Sequence, residues 1–197
     1  MPSFGRRTLL IGGSLALCSK FAIAEEIDRR VARTHRIPTP GSRIETGVAT
    51  IDVFGSVDQV LDVVLDYRKY NTILPRLETS RVVGKHKGAT DVYLRAPILR
   101  GVAHVWGVAR FTPPKRRATG GKEISGTLIK GNLDGWRGKW ILHPCGKRTI
   151  LTMELFIDLQ IPVPSKVVTK ELEWAAGKGV TAVRDIVECG ESGVKND

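Results

Sequence analysis

The clearest hydrophobic pattern in the chain lies between residues 149 and 188. From Thr149 to Leu159 every second residue is apolar, which is the period of a strand with one strongly apolar face. Ile161-Pro162-Val163-Pro164 then prevents further strand pairing, and apolar residues recur at helical spacing from Val168 to Ile186. At about 3.3 Å per strand residue and 1.5 Å per helix residue, strand and helix each come to roughly 36 Å. We therefore expect the helix to fold back along the strand's apolar face.

Earlier patterns predict one strand, one helix and five more strands. Gly47 to Phe54 alternates as a strand, and Ser56-Val57-Asp58-Gln59 is a capping box that opens a helix ended near Pro75. Because short loops join consecutive strands, these should form one antiparallel meander. The expected fold class is α+β, with a curved antiparallel sheet of about seven strands wrapped around the long C-terminal helix. The five further strands are expected at residues 79–87, 90–99, 102–111, 123–130 and 136–143.

The first 24 residues have the pattern of a secretion signal. Arg6-Arg7 precedes an apolar run that ends at Leu17, and Ala22-Ile23-Ala24 is a cleavage pattern. The paired arginines resemble a twin-arginine signal, so we expect an exported, periplasmic protein. A membrane anchor is the alternative, but the run is shorter than the roughly 20 residues of a spanning helix. A lipoprotein attached through Cys18 is a further alternative, opposed by the bulk of Leu17.

The remaining chain divides into three parts. Residues 25–43 are polar and basic and predict an N-terminal arm, either a short helix or a loose segment. Residues 44–189 form the predicted domain, and residues 190–197 a flexible tail. The domain contains Cys145, in a predicted turn, and Cys189, at the end of the last helix. An oxidising compartment permits a disulfide between them, and two unpaired thiols are the alternative.

The net charge of the chain narrows the classes of binding partner that we expect. The chain has 31 basic and 20 acidic residues and a formal net charge of +11. No nucleic-acid reader motif accompanies this charge, and an exported protein rarely meets nucleic acid, so we expect no nucleic-acid partner. Anionic lipid headgroups are the better match, which predicts peripheral contact with an anionic membrane. The run Lys115-Arg116-Arg117 is most simply a solvated loop tip.

Candidate chemistry is sparse. The sequence contains no H-E-x-x-H, C-x-x-C, G-x-S-x-G or P-loop pattern. Its four histidines have no metal-ligand spacing, so neither a metal nor another cofactor is expected. His104 is the one weak candidate for a general base, because its strand should neighbour the space under the helix. A hydrogen-bonded histidine without a catalytic role is the alternative.

The order of elements resembles the START-like superfamily of helix-grip proteins, in particular its polyketide cyclase, dehydrase and coenzyme Q-binding branch. The resemblance covers about residues 44–188. Three motifs carry it, and they identify the fold better than the activity. They are Ser56-Val57-Asp58-Gln59-Val60 with Asp66-Tyr67-Arg68-Lys69-Tyr70 and Leu74-Pro75, then Asp134-Gly135-Trp136 with Trp140-Ile141-Leu142-His143-Pro144, and finally Arg148-Thr149-Ile150-Leu151-Thr152 with Pro162-Val163-Pro164.

A sheet that grips a helix leaves a space between them, and the inward residues here are mostly apolar. The helix carries small residues opposite large strand residues, so the space is either a ligand cavity or a tightly packed core. The resemblance favours the cavity. Trp106 lines it in one strand register and packs outside in the other, and Tyr70 is expected at its mouth. The predicted ligand-binding residues are Tyr70, Ile73, Leu74, Trp106, Trp140, Leu142, Met153, Leu155, Leu172, Ala175, Ala176 and Gly179.

These observations lead to three hypotheses about function. The first is an exported carrier that binds an apolar or amphipathic small molecule, such as a lipid, isoprenoid or quinone-like compound, by desolvation. The alternative is a cyclase or dehydrase that uses the same cavity, with His104 or a tyrosine hydroxyl moving a proton. The third is a module with a filled core that binds a protein. The resemblance implies a superfamily that contains both carriers and enzymes, so it does not decide between the first two hypotheses.

Overall fold

The computed structural model describes residues 31–98, 103–160 and 162–192. Within these ranges, nine strands form one open antiparallel sheet that curves around a long C-terminal helix, as predicted. The strands are β1 Arg33–Ile37, β2 Thr46–Phe54, β3 Thr79–His86, β4 Ala89–Ile98, β5 Ala103–Phe111, β6 Lys115–Arg116, β7 Lys122–Gly131, β8 Leu133–Cys145 and β9 Arg148–Leu159. The helices are α1 Val57–Leu65, α2 Tyr70–Ile73 and α3 Ser165–Ser192, with a 3-10 turn at Tyr67–Lys69.

The sheet order is β1-β2-β9-β8-β7-β5-β4-β3, with β6 paired to β7. It therefore contains two strands more than the sequence predicted. One of them corrects the prediction for the N-terminal arm, where a short helix or a loose segment was expected. Residues 33–37 instead pair with β2 as an edge strand. Arg36 Nε, 2.5 Å from Glu173 Oε2, and Thr34 Oγ1, 3.0 Å from Glu173 Oε1, tie this strand to α3.

The capping box predicted at the start of the first helix is confirmed. Ser56 Oγ accepts a hydrogen bond from the backbone N–H of Gln59, and Gln59 Oε1 accepts one from the backbone N–H of Ser56. This reciprocal pair satisfies two of the amides that a helix start leaves unbonded. It begins α1, which buries Val60, Leu61 and Val64 against the sheet.

The last strand and the last helix pair as predicted. β9 ends at Leu159, before the proline segment, and α3 begins at Ser165. α3 approaches the sheet closely at Gly47 of β2, where an added Cβ would come within 2.4 Å of the backbone of Leu172 and Glu173. Only glycine fits this approach. The buried stripe of α3 ends with Val187 instead of the predicted Ile186, which is 42% exposed.

Candidate ligand-binding site

The space between sheet and helix has one filled end, where aromatic side chains from four elements meet. The Tyr70 hydroxyl donates to the carbonyl oxygen of Val64 at 2.8 Å and accepts from Trp140 Nε1 at 3.0 Å. The ring centroids of Tyr67 and Phe111 are 4.6 Å apart, and those of Tyr70 and Trp140 are 6.5 Å apart. These contacts and hydrogen bonds fix a dense core beneath the C-terminal half of α3.

Burial controls the titration of both tyrosines in this core. It raises the pKa of Tyr67 to about 12. Burial also raises the pKa of Tyr70 well above its ordinary value, with a smaller contribution from Tyr67, while the hydrogen bond from Trp140 acts in the opposite direction. Both hydroxyls therefore stay protonated at neutral pH.

The helix covers this core without leaving room for a ligand. A Cβ added at Gly179 would lie 2.9 Å from Met153 Sδ, 3.2 Å from Leu74 Cδ2 and 3.7 Å from Trp140. The neighbouring helix residue Ala176 has no exposed surface. The small residues of α3 here are matched by large strand side chains, which is the packing of an ordinary protein interior.

The other end of the same space, beneath the N-terminal half of α3, is hollow. It holds a cavity of about 650 Å³, within the range of small-molecule sites, roughly 300–1,000 Å³. Its wall is made mainly of aliphatic and aromatic side chains. The lining residues are Leu74, Pro75, Arg76, Leu77, Leu94, Arg95, Ala96, Pro97, Ile98, Val105, Trp106, Gly107, Ala109, Leu128, Leu133, Trp136, Leu155, Ile157, Leu159, Val163, Val167, Val168, Glu171, Leu172, Trp174 and Ala175.

Side-chain size explains why this end is open. The lining positions of β4 and β5 include Ala96, Gly107 and Ala109, and α3 contributes Ala175. At the filled end, the same layers carry tyrosine, phenylalanine and tryptophan rings. Small residues on both sides of the gap leave volume that no neighbouring side chain occupies.

The mouth of the cavity carries its charged groups. Arg76, in the segment before β3, places Nη1 2.7 Å from Glu171 Oε2 and its guanidinium 4.9 Å from the centre of the Trp174 ring. The side chains of Arg76 and Glu171 are 60% and 50% exposed, and that of Arg95 is 43% exposed. The charged members of the described wall thus lie at its rim, and the interior is apolar.

The structure divides the predicted ligand-binding residues into two groups. Five of them line the cavity. Leu155 and Leu172 lie on facing elements and Ala175 continues the helix side, while Leu74 and Trp106 complete the group near the mouth. The structure shows that these residues line the cavity, and their contact with a ligand remains a prediction.

The other seven residues lie outside the cavity wall and correct the predicted placement. They are Tyr70, Ile73, Trp140, Leu142, Met153, Ala176 and Gly179. The alternation that placed the strand residues on the helix-facing side was right, since Trp140, Leu142 and Met153 are at most 3% exposed. They face the filled part of the interface. Tyr70, expected at the mouth, is 1% exposed and belongs to the aromatic core.

Trp106 and His104 lie on β5, a strand that contributes to the cavity wall. Trp106 borders the cavity, but its ring stacks on Tyr93 with centroids 6.1 Å apart, and its cross-strand partner is the exposed Arg95. His104 lies two residues before it and places Nε2 3.3 Å from Glu78 Oε2. It is absent from the described cavity wall. The strand of His104 does border the cavity, as expected, while a catalytic role for its imidazole remains a prediction.

Of the two alternatives for Cys145 and Cys189, a disulfide or two unpaired thiols, the structure has the second, with both thiols free and exposed. Glu188, next to Cys189, accepts a hydrogen bond from the backbone N–H of Phe54 at 3.1 Å, which fixes the end of α3 over β2. Cys145 lies on β8, two strands away in the sheet.

Sequence reasoning missed much of the wall, including Leu94, Val105, Leu133, Trp136 and Trp174. Their apolar character was visible, but no pattern showed that the segments after α2 and before β8 close around one space. Ile157 and Leu159 carried a usable signal, because they continue the alternation that begins at Leu151. The apolar face was identified correctly, and its hollow section was not.

The described residues contain neither a candidate metal site nor a candidate membrane-spanning helix. The histidine, cysteine, aspartate and glutamate side chains there form no group of three that could hold a metal ion. No helix within the same part of the chain combines the length and hydropathy needed to cross a membrane.

Comparison with a family model gives the following match. Residues 55–184 match the model described as polyketide cyclase / dehydrase and lipid transport. The match contains the elements that enclose the cavity, from α1 through most of α3. No curated protein matches the chain significantly.

Solved structures show the same fold at low identity. The chain is similar to a STAR-related lipid transfer protein from Xanthomonas axonopodis, with a TM-score of 0.68 and 16% identity over 80% of this chain and 93% of the other. It is similar to the lipid transfer and protein localization domain of human StarD13, with a TM-score of 0.61 and 14% identity over 88% and 98%. For the Zhui aromatase/cyclase from Streptomyces sp. R1128 the values are 0.53 and 15% over 83% and 98%.

Proposed function

We propose that this chain, which belongs to the polyketide cyclase / dehydrase and lipid transport family, binds an apolar or amphipathic small molecule and carries it in the cavity beneath α3. The ligand class we propose is a lipid, an isoprenoid or a quinone-like compound. Two structural neighbours are a lipid transfer protein and a lipid transfer domain by name, and they support a lipid as the first candidate.

The cavity is the observation that carries this proposal. Its volume of about 650 Å³ lies between facing apolar walls that include Leu155, Leu172 and Ala175. Removing a methylene from water stabilises the complex by about 0.8 kcal/mol. About ten buried methylenes thus supply about 8 kcal/mol, which corresponds to micromolar affinity before the costs of association. Desolvation is therefore the main contribution that we propose for retaining an acyl or prenyl chain.

The charges of the wall favour a carrier over an enzyme. Among the described lining residues, the ionisable ones are Arg76, Arg95 and Glu171, and their side chains are about half exposed. Acid–base catalysis requires a titratable group within hydrogen-bond reach of the reacting atoms. The interior wall offers an apolar surface instead, and His104 lies against Glu78, outside the described cavity wall.

A cyclase or dehydrase remains the second candidate. The family description names this activity, and one neighbour is an aromatase/cyclase. In that case the cavity would fold a reactive substrate, and rim groups would supply the proton transfers. Turnover of a polyketide-type substrate that is lost in Glu171→Gln and unchanged in His104→Ala would favour the enzyme.

We also propose that the protein is exported and works near an anionic membrane. The leader-like residues 1–24 and the net charge of +11 support this location. Protein fractionation of the native organism, with the N-terminus of the mature chain sequenced, tests it. Mature protein that begins at Glu25 in the periplasmic fraction supports export, and full-length protein in the cytoplasm contradicts it.

Native mass spectrometry of protein purified from its own cells tests the carrier. We expect a bound molecule of lipid mass that dissociates under collisional activation, and we expect purified protein to bind a dansyl-labelled acyl chain. Ala175→Trp should remove both signals, because the indole would fill the cavity. A matched control is Ala182→Trp on the same helix, which does not line the cavity. Protein that carries no lipid and binds no acyl chain would overturn the proposal.

A further inference from the structure

The end of the sheet opposite the cavity mouth carries an uneven distribution of charge. Three segments lie at this end: residues 85–88 at the turn from β3 to β4, residues 112–122 from the end of β5 to the start of β7, and residues 143–148 at the turn from β8 to β9. The end of β2 and the start of α1 lie beside them, since Phe54 pairs with Arg148 and Asp58 with Lys122. Together the three segments contain eight basic residues and no acidic residue. The basic residues, called here the basic ridge, are Lys85, Lys87, Lys115, Arg116, Arg117, Lys122, Lys147 and Arg148.

The sheet order brings these segments into one row. From β9 to β3 the strands follow one another as β9-β8-β7-β5-β4-β3. At about 4.8 Å per strand, the row extends over about 24 Å. The segments also touch, since an added Cβ at Gly88 would lie 3.9 Å from Pro113, and Gly121 lies against the backbone of Leu142 and His143. The ridge is therefore one continuous surface.

Most of this charge has no partner within the described chain. Lys122 pairs with Asp58 at 2.7 Å, and Arg117 lies 3.9 Å from Glu123. The structure shows no ion pair with the described residues for the other exposed members, Lys85, Lys87, Lys115, Arg116 and Lys147. Nearby Asp91 is held by Arg110 through two hydrogen bonds of 2.7 and 2.8 Å. The ridge thus presents uncompensated positive charge.

We infer that the basic ridge docks the protein on an anionic lipid bilayer, with the cavity mouth facing away from it. Four of the five unpaired cations are lysines, which are depleted at the centres of protein interfaces. The three segments contain no tyrosine, tryptophan or phenylalanine, so they lack the stacking groups of a nucleic-acid site. Phe54, 49% exposed and paired with Arg148 across the sheet, supplies an apolar group for the lipid interface.

This orientation has a consequence for the carrier. β4 begins at the ridge with Ala89 and ends at the mouth with Ile98, so its ten residues separate the two by about 33 Å. A docked protein would hold the mouth beyond the headgroups, where it can exchange ligand with a second membrane or a soluble acceptor. The mouth end carries a balanced set of charges, with Arg76 paired to Glu171 and Arg95 near Glu78.

Vesicle sedimentation with matched charge variants tests the inference. Wild type should bind vesicles of phosphatidylcholine with phosphatidylserine, should not bind phosphatidylcholine alone, and should dissociate at high salt. The ridge variant Lys87→Gln, Lys115→Gln, Arg116→Gln and Lys147→Gln should bind at least about tenfold more weakly. The control variant removes the same charge outside the ridge, as Lys130→Gln, Lys166→Gln, Lys170→Gln and Lys178→Gln, and should bind within about twofold of wild type.

Orientation is measured with a fluorophore on the native Cys145 at the ridge, with the other two cysteines changed to serine. Its emission should shift on binding to anionic vesicles, and a fluorophore at Val167→Cys near the mouth should not shift.

The inference is overturned if wild type fails to bind anionic vesicles, if the control variant loses binding as strongly as the ridge variant, or if only the mouth label shifts. Salt-sensitive binding of poly-glutamate without vesicle binding would assign the ridge to an acidic protein. The ridge variant should still bind the dansyl-labelled acyl chain. This measurement distinguishes a failure of membrane docking from a failure of the carrier function.

Discussion

The filled and hollow ends of the space beneath α3 differ in how completely side chains occupy it. At the filled end, Tyr70, Phe111 and Trp140 meet within 6.5 Å between ring centroids. At the hollow end, the lining positions include Ala96, Ala109 and Ala175, and a cavity of about 650 Å³ remains. One backbone arrangement thus provides a stabilising core and a ligand space in succession.

Stabilising the fold and holding a ligand are thus separated along one helix. The C-terminal half of α3 covers interlocked side chains, and the N-terminal half covers empty volume. Substitutions at the filled end should therefore change the free energy of unfolding, and substitutions at the hollow end should change ligand binding. The following predictions test this separation, beginning with the largest effect.

Trp140→Ala should lower the free energy of unfolding by about 3–5 kcal/mol, because it removes a buried indole and its hydrogen bond to Tyr70. The hollow-end counterpart is Val105→Ala, which should cost less than about 1 kcal/mol, since the valine already faces empty volume. Urea unfolding of both variants gives the comparison. Equal losses would mean that the two ends are packed alike.

Neighbouring residues of α3 provide the second test. Ala176 is fully buried in the core, so Ala176→Trp should destabilise the protein by at least about 1–3 kcal/mol. Ala175 lines the cavity, and Ala175→Trp should leave the melting temperature nearly unchanged while removing dansyl acyl-chain binding. A melting curve and a fluorescence titration of each variant separate the two effects. A stable Ala176→Trp variant that lost acyl-chain binding would place the cavity where the structure shows core.

Tyr70→Phe probes the hydrogen bonds of the filled end. It leaves Trp140 Nε1–H without its acceptor and the carbonyl oxygen of Val64 without its donor, so it should cost about 1–2 kcal/mol. Acyl-chain binding should not change. Chemical denaturation measures the stability, and the dansyl probe measures binding. A tighter or weaker acyl-chain complex would show that Tyr70 reaches the ligand.

The two buried tyrosines also predict alkaline sensitivity. Burial raises the pKa of Tyr67 to about 12 and raises that of Tyr70 well above its ordinary value of 10.0. Because the folded protein favours the protonated form, this stability is fully present below pH 10 and is lost as pH rises from about 10 through the folded pKa values. Unfolding followed from pH 8 to 12 should show the decline. A smaller decline is expected in the double variant Tyr67→Phe and Tyr70→Phe, and the same decline there would contradict this assignment.

The smallest effect on stability is expected at the cavity mouth. Arg76 and Glu171 are both at least half exposed, and such pairs contribute about 0–1 kcal/mol. Arg76→Gln should therefore change stability little while it speeds release of the dansyl acyl chain, measured by stopped flow. The control Lys139→Gln breaks an ion pair with Glu154 on the sheet and should leave release unchanged. Equal rates in all three proteins would show that the Arg76 contact does not restrict the mouth.

Much of the fold followed from local patterns in the sequence. Alternation from Thr149 to Leu159, the proline segment after it and the helical spacing from Val168 predicted β9, its end and α3. The capping box at Ser56 predicted the start of α1. The strand at residues 33–37 was not predictable in this way, because its residues are exposed and polar. It forms through backbone pairing with β2 and contacts between Arg36 and Glu173.

The sequence predicted only part of the candidate site, and the reason is physical. Alternation shows which side of a strand faces the helix, and this placed Met153 and Leu155 on the same inner face. It does not show how closely the helix approaches at each point along that face. The approach depends on nonlocal partners, such as Leu74 and Trp140 beside Gly179. Met153 therefore lies in the core, and Leu155, two residues further, lies in the cavity wall.

The location of bound ligand tests the central claim most directly. A crystal structure of the protein with a brominated acyl chain, with bromine found by anomalous scattering, would give this position. We predict an anomalous peak between Leu155 of β9 and Leu172 of α3, with the filled core unchanged. A peak among Tyr70, Trp140 and Met153, or acyl chain bound only outside the sheet and helix, would contradict the account.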